Sequence, residues 1–578
     1  MSGWNVPPPI EVVRTLEAYS TPSPQGPIDL ELAGNEGPSP PKEVLEALAT
    51  IDGEVIRRYP DLTRLTEAIA DRFDVSTEQV IVTAGGDQAI DLLARAYLEP
   101  GRSLLTHRPS FVMIERAARF AGGEVIDIEW PGSTFPIETF IDAGDDSTPI
   151  AMIVSPNNPT GATIDSDELR TIAVELAPTL VVIDHAYVEF TDEDLTEVAI
   201  ELDNVAVIRT LSKAFGLAGL RVGYLIGPEP VVEALGRIRS PFPIASPAIV
   251  AAEARLEADS NVSGYLEAIR ANRDRLEDSL TTLDIEVYPS EANFVLGRYP
   301  DPRWAFDGLA GLGIRTRAFP NRVGLEEHIR ITVPDDANDM GRLEAALEAV
   351  LAPATVLFDM DGVIAGVSSS YRRAIIETAA TFGVEVTHED IEGWKQAGDA
   401  NDDWELTHRI LLDAGVSVAF EAVKDTFEGL YQGTGDQPPL YEHESLHGET
   451  VITELAERFP LGIVTGRPRR DAVRFLEDHE ITDLFEVVIC KEDATDKPHP
   501  APVNLALERL DLDRAWMIGD TPDDIRAARD AGVVPIGIHP PGEPTAATET
   551  ALRTAGAARV LHELEGIIDL LDRGTTLD

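Results

Sequence analysis

"RTLSKAFGLAGLRVGY" occupies residues 209–224 and sets one lysine, Lys213, among small and apolar residues. Lysine is scarce here, because only six of the 47 basic residues are lysine and the others are arginine. A lysine that bonds covalently to a carbonyl carbon must lose its proton, and burial or a nearby positive charge lowers its pKa for that task. With Arg221 eight residues further on, Lys213 is a candidate catalytic residue.

The composition is that of a large globular chain. With 578 residues it exceeds one ordinary core, and 43% apolar residues suffice for packed interiors. Strand-like runs alternate with helix-like segments, which predicts an α/β fold. The single cysteine, Cys490, excludes an internal disulfide and indicates a reducing compartment. The first residues lack a signal-peptide pattern and no run approaches about 18 apolar residues, so we expect a cytoplasmic protein outside the membrane.

The charge is strongly negative, at −55, and acidic residues are spread along the whole chain. Such a surface repels phosphodiesters and anionic lipids, so we expect neither a nucleic acid nor a membrane as partner. A carboxylate-rich, lysine-poor surface is typical of a halophilic protein, because molar salt screens most of the self-repulsion. We therefore expect a protein that works in molar salt, and a basic protein partner stays an alternative explanation of the charge.

The clearest domain boundary lies near residue 352. The segment "DMGRLEAALEAVLAP" (339–353) has helical spacing of leucine and valine and ends in proline. The segment "TVLFDMDGV" (355–363) then opens as a buried strand. The sequence therefore predicts two halves, residues 1–352 and 353–578, joined by a short connection.

In the first half, polar residues follow apolar strands, where the sites of doubly wound sheets lie. Asp184 ends the strand "TLVVID" (179–184), and a buried carboxylate there can keep a pyridine nitrogen protonated. A strand, a glycine turn and a helix in residues 79–98 offer free N–H groups to a phosphate. Together with Lys213, these features indicate a pyridoxal 5'-phosphate pocket. Its other candidate residues are Gly85, Gly86, Asp87, Asn158, Tyr187, Thr210, Ser212 and Arg221.

Residues 31–335 resemble the fold-type I pyridoxal-phosphate aminotransferases, most of all the histidinol-phosphate aminotransferases. The resemblance implies a large and a small domain. It rests on eight segments: AGNEGP (33–38), RYPD (58–61), AGGDQAI (84–90), SPNNPTG (155–161), DHAYVEF (184–190), RTLSKAFGLAGLRVGY (209–224), ANFVL (292–296) and HIRITV (328–333).

The roles of several residues follow from this resemblance. Lys213 would hold the cofactor and move the proton between the substrate Cα and C4′, and Asp184 would pair with the pyridine nitrogen. Tyr59 would reach the cofactor phosphate of a neighbouring subunit, which implies a homodimer. The substrate would be bound by Asn35, by Arg330 and by its companion Arg317.

Two positions depart from the family pattern. Phe111, in "RPSF", stands where the family usually has a tyrosine that stacks on the cofactor ring, so stacking is kept and a hydroxyl is lost. His185 replaces an acidic residue, and we interpret it as a neutral packing substitution. Threonine-phosphate decarboxylases share most of these segments, so decarboxylation stays an alternative to transamination.

The second half carries carboxylates at the ends of apolar strands. Asp359 and Asp361 follow the strand in "VLFDMDGV" (356–363), and packing such groups together without a cation is costly, which implies a metal. In an extended chain the two side chains would share a face, whereas a tight turn would separate them. Later strands add four polar residues: Thr465, Lys497, Asp520 and Asp524.

This ordered set resembles the haloacid-dehalogenase (HAD) phosphohydrolase superfamily over residues 355–540. The resemblance implies that Asp359 attacks phosphorus and that Asp361 acts as the general acid and base, which favours a phosphatase over a dehalogenase. Thr465 and Lys497 would hold the phosphoryl oxygens. Mg2+ would be bound by Asp359, Asp520 and the backbone carbonyl of Asp361, supported by Asp524. The helical stretch of about 366–445 resembles an α-helical cap over a Rossmann-like domain.

The pair of resemblances suggests two consecutive steps of histidine biosynthesis. The first half would use glutamate to make histidinol phosphate and 2-oxoglutarate, and the second would remove the phosphate. Three alternatives remain open at this point. The first half could be a decarboxylase, the phosphatase could act on an unrelated substrate, or the second half could be a non-catalytic binding module.

Overall fold

The computed structural model describes residues 7–16, 18, 22–132, 134–258, 262–398, 400, 402–434, 438–541 and 545–575. The α/β class expected from the sequence is confirmed. The chain forms two compact units. The first contains Met1–Thr21, Leu32–Arg298 and Phe319–Met340, and the second contains Pro22–Glu31, Tyr299–Ala318 and Gly341–Asp578. Among the helices of the described residues, none is long and apolar enough to cross a membrane.

The first unit is built on a seven-stranded sheet in which only Gly223–Ile226 runs against the other strands. Alternate residues of the interior strand Ile150–Val154 pack into two different apolar clusters. Met152 and Val154 belong to one cluster, and Ala151 and Ile153 belong to the other. Both faces of the sheet are therefore covered, as expected of a mostly parallel sheet. In spatial order the strands are Val80–Thr83, Gly223–Ile226, Val205–Thr210, Leu180–Asp184, Ile150–Val154, Ser103–Arg108 and Glu124–Glu129.

Helices and a smaller antiparallel sheet complete the first unit. The antiparallel strands are His328–Thr332, Phe294–Arg298 and Glu286–Tyr288. The α-helices are Glu11–Thr15, Lys42–Ala49, Gly53–Arg57, Thr63–Phe73, Gly85–Tyr97, Val112–Phe120, Ile137–Asp142, Ser166–Glu175, Thr196–Ile200, Glu229–Ile238, Ser246–Glu257 and Ser263–Thr282. Short 3-10 helices are Thr77–Gln79, Val188–Phe190 and Ala218–Leu220.

The second unit is built on a six-stranded, wholly parallel sheet. All residues of its central strand, Thr355–Phe358, are buried. Because its neighbours run parallel to it, their carboxyl ends lie at the same edge, where such sheets bind their ligands. The spatial order is Val487–Ile489, Leu461–Val464, Thr355–Phe358, Ala515–Gly519, Val534–Ile538 and Arg559–Leu561.

A two-stranded antiparallel stem, Ala365–Gly366 paired with Ser445–Leu446, encloses a helical insertion in this unit. The insertion contains Tyr371–Thr381, His388–Ala397, Asp403–Asp413, Phe420–Gln432 and the 3-10 helix Leu440–His443. We refer to residues 367–444 as the cap. The helices after the stem are Glu449–Arg458, Arg469–Asp478, the 3-10 helix Thr482–Leu484, Ala501–Leu510, Pro522–Asp530, Ala546–Ala555 and Gly566–Gly574.

The second unit also contains a segment from the middle of the chain. Its helix Pro302–Gly311 contacts the strand Val534–Ile538 and the helix Gly566–Gly574. Nearby, Leu30–Glu31 pairs in parallel with Ile314–Arg315, and a short strand follows at Arg317–Ala318. The expected boundary near residue 352 falls at the end of the helix Ala337–Leu351, inside this unit.

Candidate active sites

Lys213 lies just beyond the carboxyl end of the strand Val205–Thr210. Its half-buried side chain donates a hydrogen bond from Nζ to the carbonyl of Gly34 at 3.0 Å. The same ammonium lies 5.6 Å from the ring centroid of Tyr187, over the ring face. The lysine is therefore held by a neutral carbonyl and an aromatic ring.

The hydroxyl of Tyr187 accepts hydrogen bonds from two other predicted pocket residues. The amide nitrogen of Asn35 donates to it at 3.0 Å, and that of Asn158 donates at 3.4 Å. Arg330 donates to the side-chain oxygen of Asn158 at 2.6 Å. Residues from distant parts of the sequence thus surround Tyr187, whose ring faces the ammonium of Lys213.

Thr332 also supports this cluster, although it was not among the site residues predicted from the sequence. Its hydroxyl donates to the side-chain oxygen of Asn35 and accepts from the Asn35 N–H, both at 3.0 Å. Arg330, two residues earlier on the same strand, also donates to the carbonyl of Ala33 at 2.6 Å. The segment HIRITV contains both residues, and side chains two apart in a strand point to the same face, which was the available signal.

Asp184 ends its strand with a buried carboxylate that accepts a hydrogen bond from the Ala186 N–H at 3.2 Å. Burial raises the pKa of Asp184 to about 7, and the charge of Asp87 adds to the increase. A carboxylate in such surroundings favours a cationic partner. The protonated pyridine nitrogen of pyridoxal phosphate supplies that kind of charge, so Asp184 fits the expected cofactor.

A second group of predicted residues surrounds the start of the helix Gly85–Tyr97. Gly85 has a φ of 75°, and a Cβ there would lie 2.7 Å from Nη2 of Arg221. That nitrogen donates to Asp87 at 3.0 Å, while Nη1 approaches Ser212 Oγ at 3.4 Å. Thr210 donates to the Ser212 hydroxyl at 2.8 Å. Helix N–H groups, hydroxyls and a guanidinium are the donors that a phosphate requires.

Three further predicted residues are placed by other features of the structure. Phe111 precedes the helix Val112–Phe120 and packs, half-buried, against an apolar cluster of the first unit. Tyr59 is 80% exposed and stacks on Phe242 with ring centroids 4.3 Å apart. Arg317 belongs to the short strand Arg317–Ala318 of the second unit. Their roles toward a cofactor, a partner subunit and a substrate remain predictions.

His185 is a buried structural residue. Its Nε2 accepts a hydrogen bond from the Leu195 N–H at 3.1 Å, and its Nδ1 contacts the carbonyl of Ser155. Burial lowers the pKa of His185 to about 4, which keeps the ring neutral. The neutral ring holds the start of the SPNNPTG segment in place, in agreement with its interpretation as a packing substitution.

The second unit gathers three buried carboxylates, Asp359, Asp520 and Asp524. One oxygen from each lies within 4.8 Å of the others. Lys497 donates to Asp359 at 2.7 Å, to the Val464 carbonyl at 3.2 Å and also to Asp524. Lys497 therefore pairs with two of the three carboxylates, and the charges of Lys395 and Arg372 act on the third, Asp520.

Burial and mutual repulsion of the carboxylates raise the pKa values of Asp359 and Asp520 in spite of these cations. Burial raises the pKa of Asp359 to about 7 although Lys497 opposes the increase. Burial, reinforced by the charges of Asp524 and Asp359, raises the pKa of Asp520 well above its usual value. A divalent cation bound by oxygen ligands would relieve this repulsion, and the set suits Mg2+.

The close approach of the chain to Asp520 requires a glycine. Gly362 has a φ of 75°, and a Cβ at this position would lie 2.0 Å from a carboxylate oxygen of Asp520. Asp524 is oriented by the residue that caps its helix, since Thr521 donates to it through the N–H at 3.0 Å and the hydroxyl at 2.6 Å. The local sequence therefore sets the spacing of the carboxylates.

Asp361 does not join the three carboxylates. Its Oδ1 accepts from Nε of Arg467 at 2.5 Å, and Nη1 of Arg467 donates to Glu444 at 2.8 Å. The turn after Asp359 thus separates the two aspartates. Thr465 is buried at the end of its strand and accepts from the Arg467 N–H at 3.2 Å. Neither Arg467 nor Glu444 was predicted, because only the fold brings them to Asp361.

Comparison with known proteins finds a family for each half of the chain. Residues 29–349 match the family described as aminotransferase class I and II, and residues 356–538 match the haloacid dehalogenase-like hydrolases. The histidinol-phosphate aminotransferase of Nitratidesulfovibrio vulgaris (strain DP4) is 37% identical over 332 residues, which cover 56% of this chain and 88% of that protein.

Two further proteins show different extents of similarity. An imidazoleglycerol-phosphate dehydratase of Phytophthora nicotianae is 48% identical over 234 residues, and the match spans 38% of this chain and about half of that relative, 51%. The crystal structure of histidinol-phosphate aminotransferase from Sinorhizobium meliloti in complex with pyridoxal-5'-phosphate has a TM-score of 0.54 and 24% identity. It covers 60% of this chain and 98% of that chain, and it establishes the fold.

The expected fusion is confirmed by these matches, as is the fold-type I architecture of the first half. The chain belongs to the class I and II aminotransferases and continues into a haloacid dehalogenase-like hydrolase, so that it is an enzyme of two catalytic families.

Proposed function

We propose that this enzyme catalyses two consecutive reactions of histidine biosynthesis. The aminotransferase would convert imidazole-acetol phosphate and glutamate into histidinol phosphate and 2-oxoglutarate. The hydrolase would then release inorganic phosphate from histidinol phosphate. The observation that carries the proposal is the presence, in one chain, of a hydrolase and an aminotransferase whose relative is named histidinol-phosphate aminotransferase. The similarity to a protein named imidazoleglycerol-phosphate dehydratase supports the same pathway.

In the aminotransferase, pyridoxal phosphate would supply an electron sink for the carbanion formed at the substrate Cα. Lys213 would hold the cofactor and then move a proton at its Nζ. Its neighbours, the Gly34 carbonyl and the Tyr187 ring, favour a defined position for that atom. Asp184 would hold the pyridine N–H. Arg330, with Arg317 as its companion, would bind an anionic group of the substrate, and Asn35 would border it.

The remaining predicted residues would orient the cofactor. Tyr187 and Asn158 would face its phenolic oxygen, and Phe111 would stack on the ring. The phosphate would lie among the N–H groups and side chains of Gly85, Gly86, Asp87, Thr210, Ser212 and Arg221. The support for this assignment is the contact of Arg221 with both Asp87 and Ser212.

In the hydrolase, a carboxylate oxygen of Asp359 would attack phosphorus, and Asp361 would protonate the departing alcohol and then activate water. Thr465 and Lys497 would hold the phosphoryl oxygens. Mg2+ would be bound by Asp359, Asp520 and the backbone carbonyl of Asp361, with Asp524 in support. It would supply neutralisation of the charge on the transferring phosphoryl group.

We also propose a cytoplasmic homodimer adapted to high salt. The 80% exposure of Tyr59 and its stack on Phe242, itself 46% exposed, offer an aromatic surface to a second subunit. The charge of −55 supports the adaptation to salt. Sedimentation of the purified chain across a salt series tests both statements, since a monomer in molar salt contradicts the first and a fully folded protein without salt contradicts the second.

The experiment that tests the proposed substrate is phosphate release from histidinol phosphate by the purified chain with Mg2+ in molar salt. We expect faster release than from glycerol 3-phosphate, and no release by the Asp359→Asn variant. Turnover of glycerol 3-phosphate without turnover of histidinol phosphate would refute the pairing of the two reactions. For the first half, CO2 formation without 2-oxoglutarate would replace transamination by decarboxylation.

A further inference from the structure

Arg467 is fully buried, with 0% of its side chain exposed, in the loop after the strand Leu461–Val464. Its guanidinium contacts two carboxylates at once, Asp361 at 2.5 Å and Glu444 at 2.8 Å. The ring centroids of Tyr371 and Phe475 lie 4.9 Å and 5.3 Å from its Cζ. A guanidinium with both a packed and a hydrogen-bonded environment has little freedom to move.

Glu444 is fixed in turn by the cap. Its Oε2 accepts from Arg467, while its Oε1 accepts from the hydroxyls of Ser370 and Tyr431, both at 2.9 Å. Ser370 directly precedes the first cap helix, Tyr371–Thr381, and Tyr431 lies in the last turn of the helix Phe420–Gln432. The glutamate side chain is 4% exposed. One continuous chain of contacts thus runs from two cap helices through Glu444 and Arg467 to Asp361.

Asp361 itself is the least enclosed member of this chain of contacts, with 23% of its side chain exposed. It has no part in the cluster formed by Asp359, Asp520 and Asp524. Its carboxyl group is therefore held by Arg467, apart from the cluster that contains its sequence neighbour Asp359.

We propose that Arg467 is a positioning residue that orients the carboxyl group of Asp361 for proton transfer, and that Glu444 holds Arg467 in the required place. This inference rests on the proposed phosphatase function. It adds two residues from outside the aspartate and lysine set and gives the cap a direct influence on the proton-transfer step.

The proton balance specifies which step depends on this arrangement. In the first step a bond forms between Asp359 and phosphorus, the ester P–O bond breaks, and the leaving oxygen takes a proton from Asp361. In the second step water attacks phosphorus, gives its proton to Asp361, and releases Asp359. An alkyl ester needs the proton in the first step because an alkoxide leaves poorly, whereas nitrophenolate leaves without it.

The test is single-turnover release of the leaving group from two esters with Mg2+ in molar salt, histidinol phosphate and p-nitrophenyl phosphate. Loss of proton transfer in Arg467→Gln is expected to slow the alkyl ester about a hundredfold. The aryl ester is expected to change little. Arg467→Lys keeps the charge, but a single ammonium lacks the fork that spans two carboxylates, so we expect the same selective loss.

Arg470→Gln is the matched control. Arg470 lies in the first turn of the helix that follows this loop, Arg469–Asp478, and contacts a cap carboxylate, Glu428, at 2.8 Å, but it has no contact with Asp361 in the described structure. It should leave the ratio of the two rates unchanged. Glu444→Gln is the second test variant, because it preserves shape and loses only the charge that fixes Arg467. It should slow the alkyl ester selectively even if Arg467→Gln folds poorly.

The outcomes separate the inference from the function on which it rests. If the wild-type enzyme releases neither leaving group, the proposed phosphatase function fails and the inference fails with it. If the wild type is active and the Arg467 and Glu444 variants slow both esters equally, or leave both unchanged, only the positioning role is overturned. Selective loss with the alkyl ester supports it.

Discussion

The indole of Trp304 meets the indole of Trp516 edge to face, with ring centroids 4.6 Å apart. Both rings are fully buried in the second unit. Their N–H groups donate to the carbonyls of consecutive residues, Val350 for Trp304 at 3.2 Å and Ala349 for Trp516 at 2.8 Å. A helix from the middle of the chain, Pro302–Gly311, is thereby packed into the core of the second unit.

The first prediction concerns this contact. Trp304→Ala should lower the free energy of unfolding of the second unit by about 3–5 kcal/mol, because it opens a large cavity and leaves a carbonyl unpaired. Trp304→Phe should cost less, because it retains the ring contact. Urea unfolding monitored through phosphatase activity measures both variants. Equal stability of Trp304→Ala and the wild type would contradict the packing described.

The second prediction concerns Lys213. Lys213→Ala should abolish transamination and the covalent attachment of pyridoxal phosphate, while phosphate release continues. Borohydride reduction followed by peptide mass analysis locates the attachment. Lys42→Ala is the matched control, since Lys42 is an exposed helix residue paired with Glu46. Retention of reducible cofactor by Lys213→Ala would reject the assignment.

The third prediction concerns Asp184 and pH. The folded-state pKa is raised to about 7 from 3.8, so the folded apoenzyme binds the proton more tightly than the unfolded chain. The resulting stability is present at low pH and lost as pH rises through about 4 to 7. The Asp184→Asn side chain has no proton to lose in this range. The free energy of unfolding of the variant should therefore rise relative to that of the wild type, by at most on the order of 4 kcal/mol.

Thermal unfolding of the apoenzymes between about pH 5 and pH 8, at constant high salt, measures this difference. The advantage of Asp184→Asn should grow across the range and shrink when pyridoxal phosphate is added, because the cofactor then pairs with the wild-type carboxylate. Parallel curves of stability against pH for the two proteins would show that burial does not raise the pKa of Asp184 as described.

The fourth prediction compares two glycines with similar backbone. Gly362→Ala should abolish phosphate release, because its Cβ would lie 2.0 Å from a carboxylate oxygen of Asp520. Gly383 has a φ of 82°, and a Cβ there meets no atom within 4 Å. Gly383→Ala should therefore cost only the backbone strain, about 1–3 kcal/mol, and keep its activity. Equal activities of the two variants would contradict the steric account.

Much of both sites could be predicted from the sequence, because the polar residues follow buried parallel strands directly. Asp184, Lys213, Asp359 and Asp520 are such residues, and each lies at the carboxyl end of a strand or just beyond it. The number of residues between each of them and its strand is a local property, so a short sequence motif can reveal it.

The contacts that could not be predicted from the sequence join residues that are far apart along the chain. Glu444 is separated from Arg467 by 23 residues and from Asp361 by far more, and only folding of the cap brings it to them. The sequence likewise contained no sign that the helix Pro302–Gly311, which precedes the predicted boundary near residue 352, packs within the second unit. No local pattern marks a helix for packing on a sheet that is encoded later in the chain.

The most direct test of the two-reaction proposal is product analysis after one incubation. The purified chain, with pyridoxal phosphate and Mg2+ in molar salt, receives imidazole-acetol phosphate and glutamate. We predict that 2-oxoglutarate, histidinol and inorganic phosphate form together, and that Asp359→Asn forms 2-oxoglutarate while histidinol phosphate accumulates. Formation of 2-oxoglutarate by the wild type with histidinol phosphate left intact would contradict the proposal.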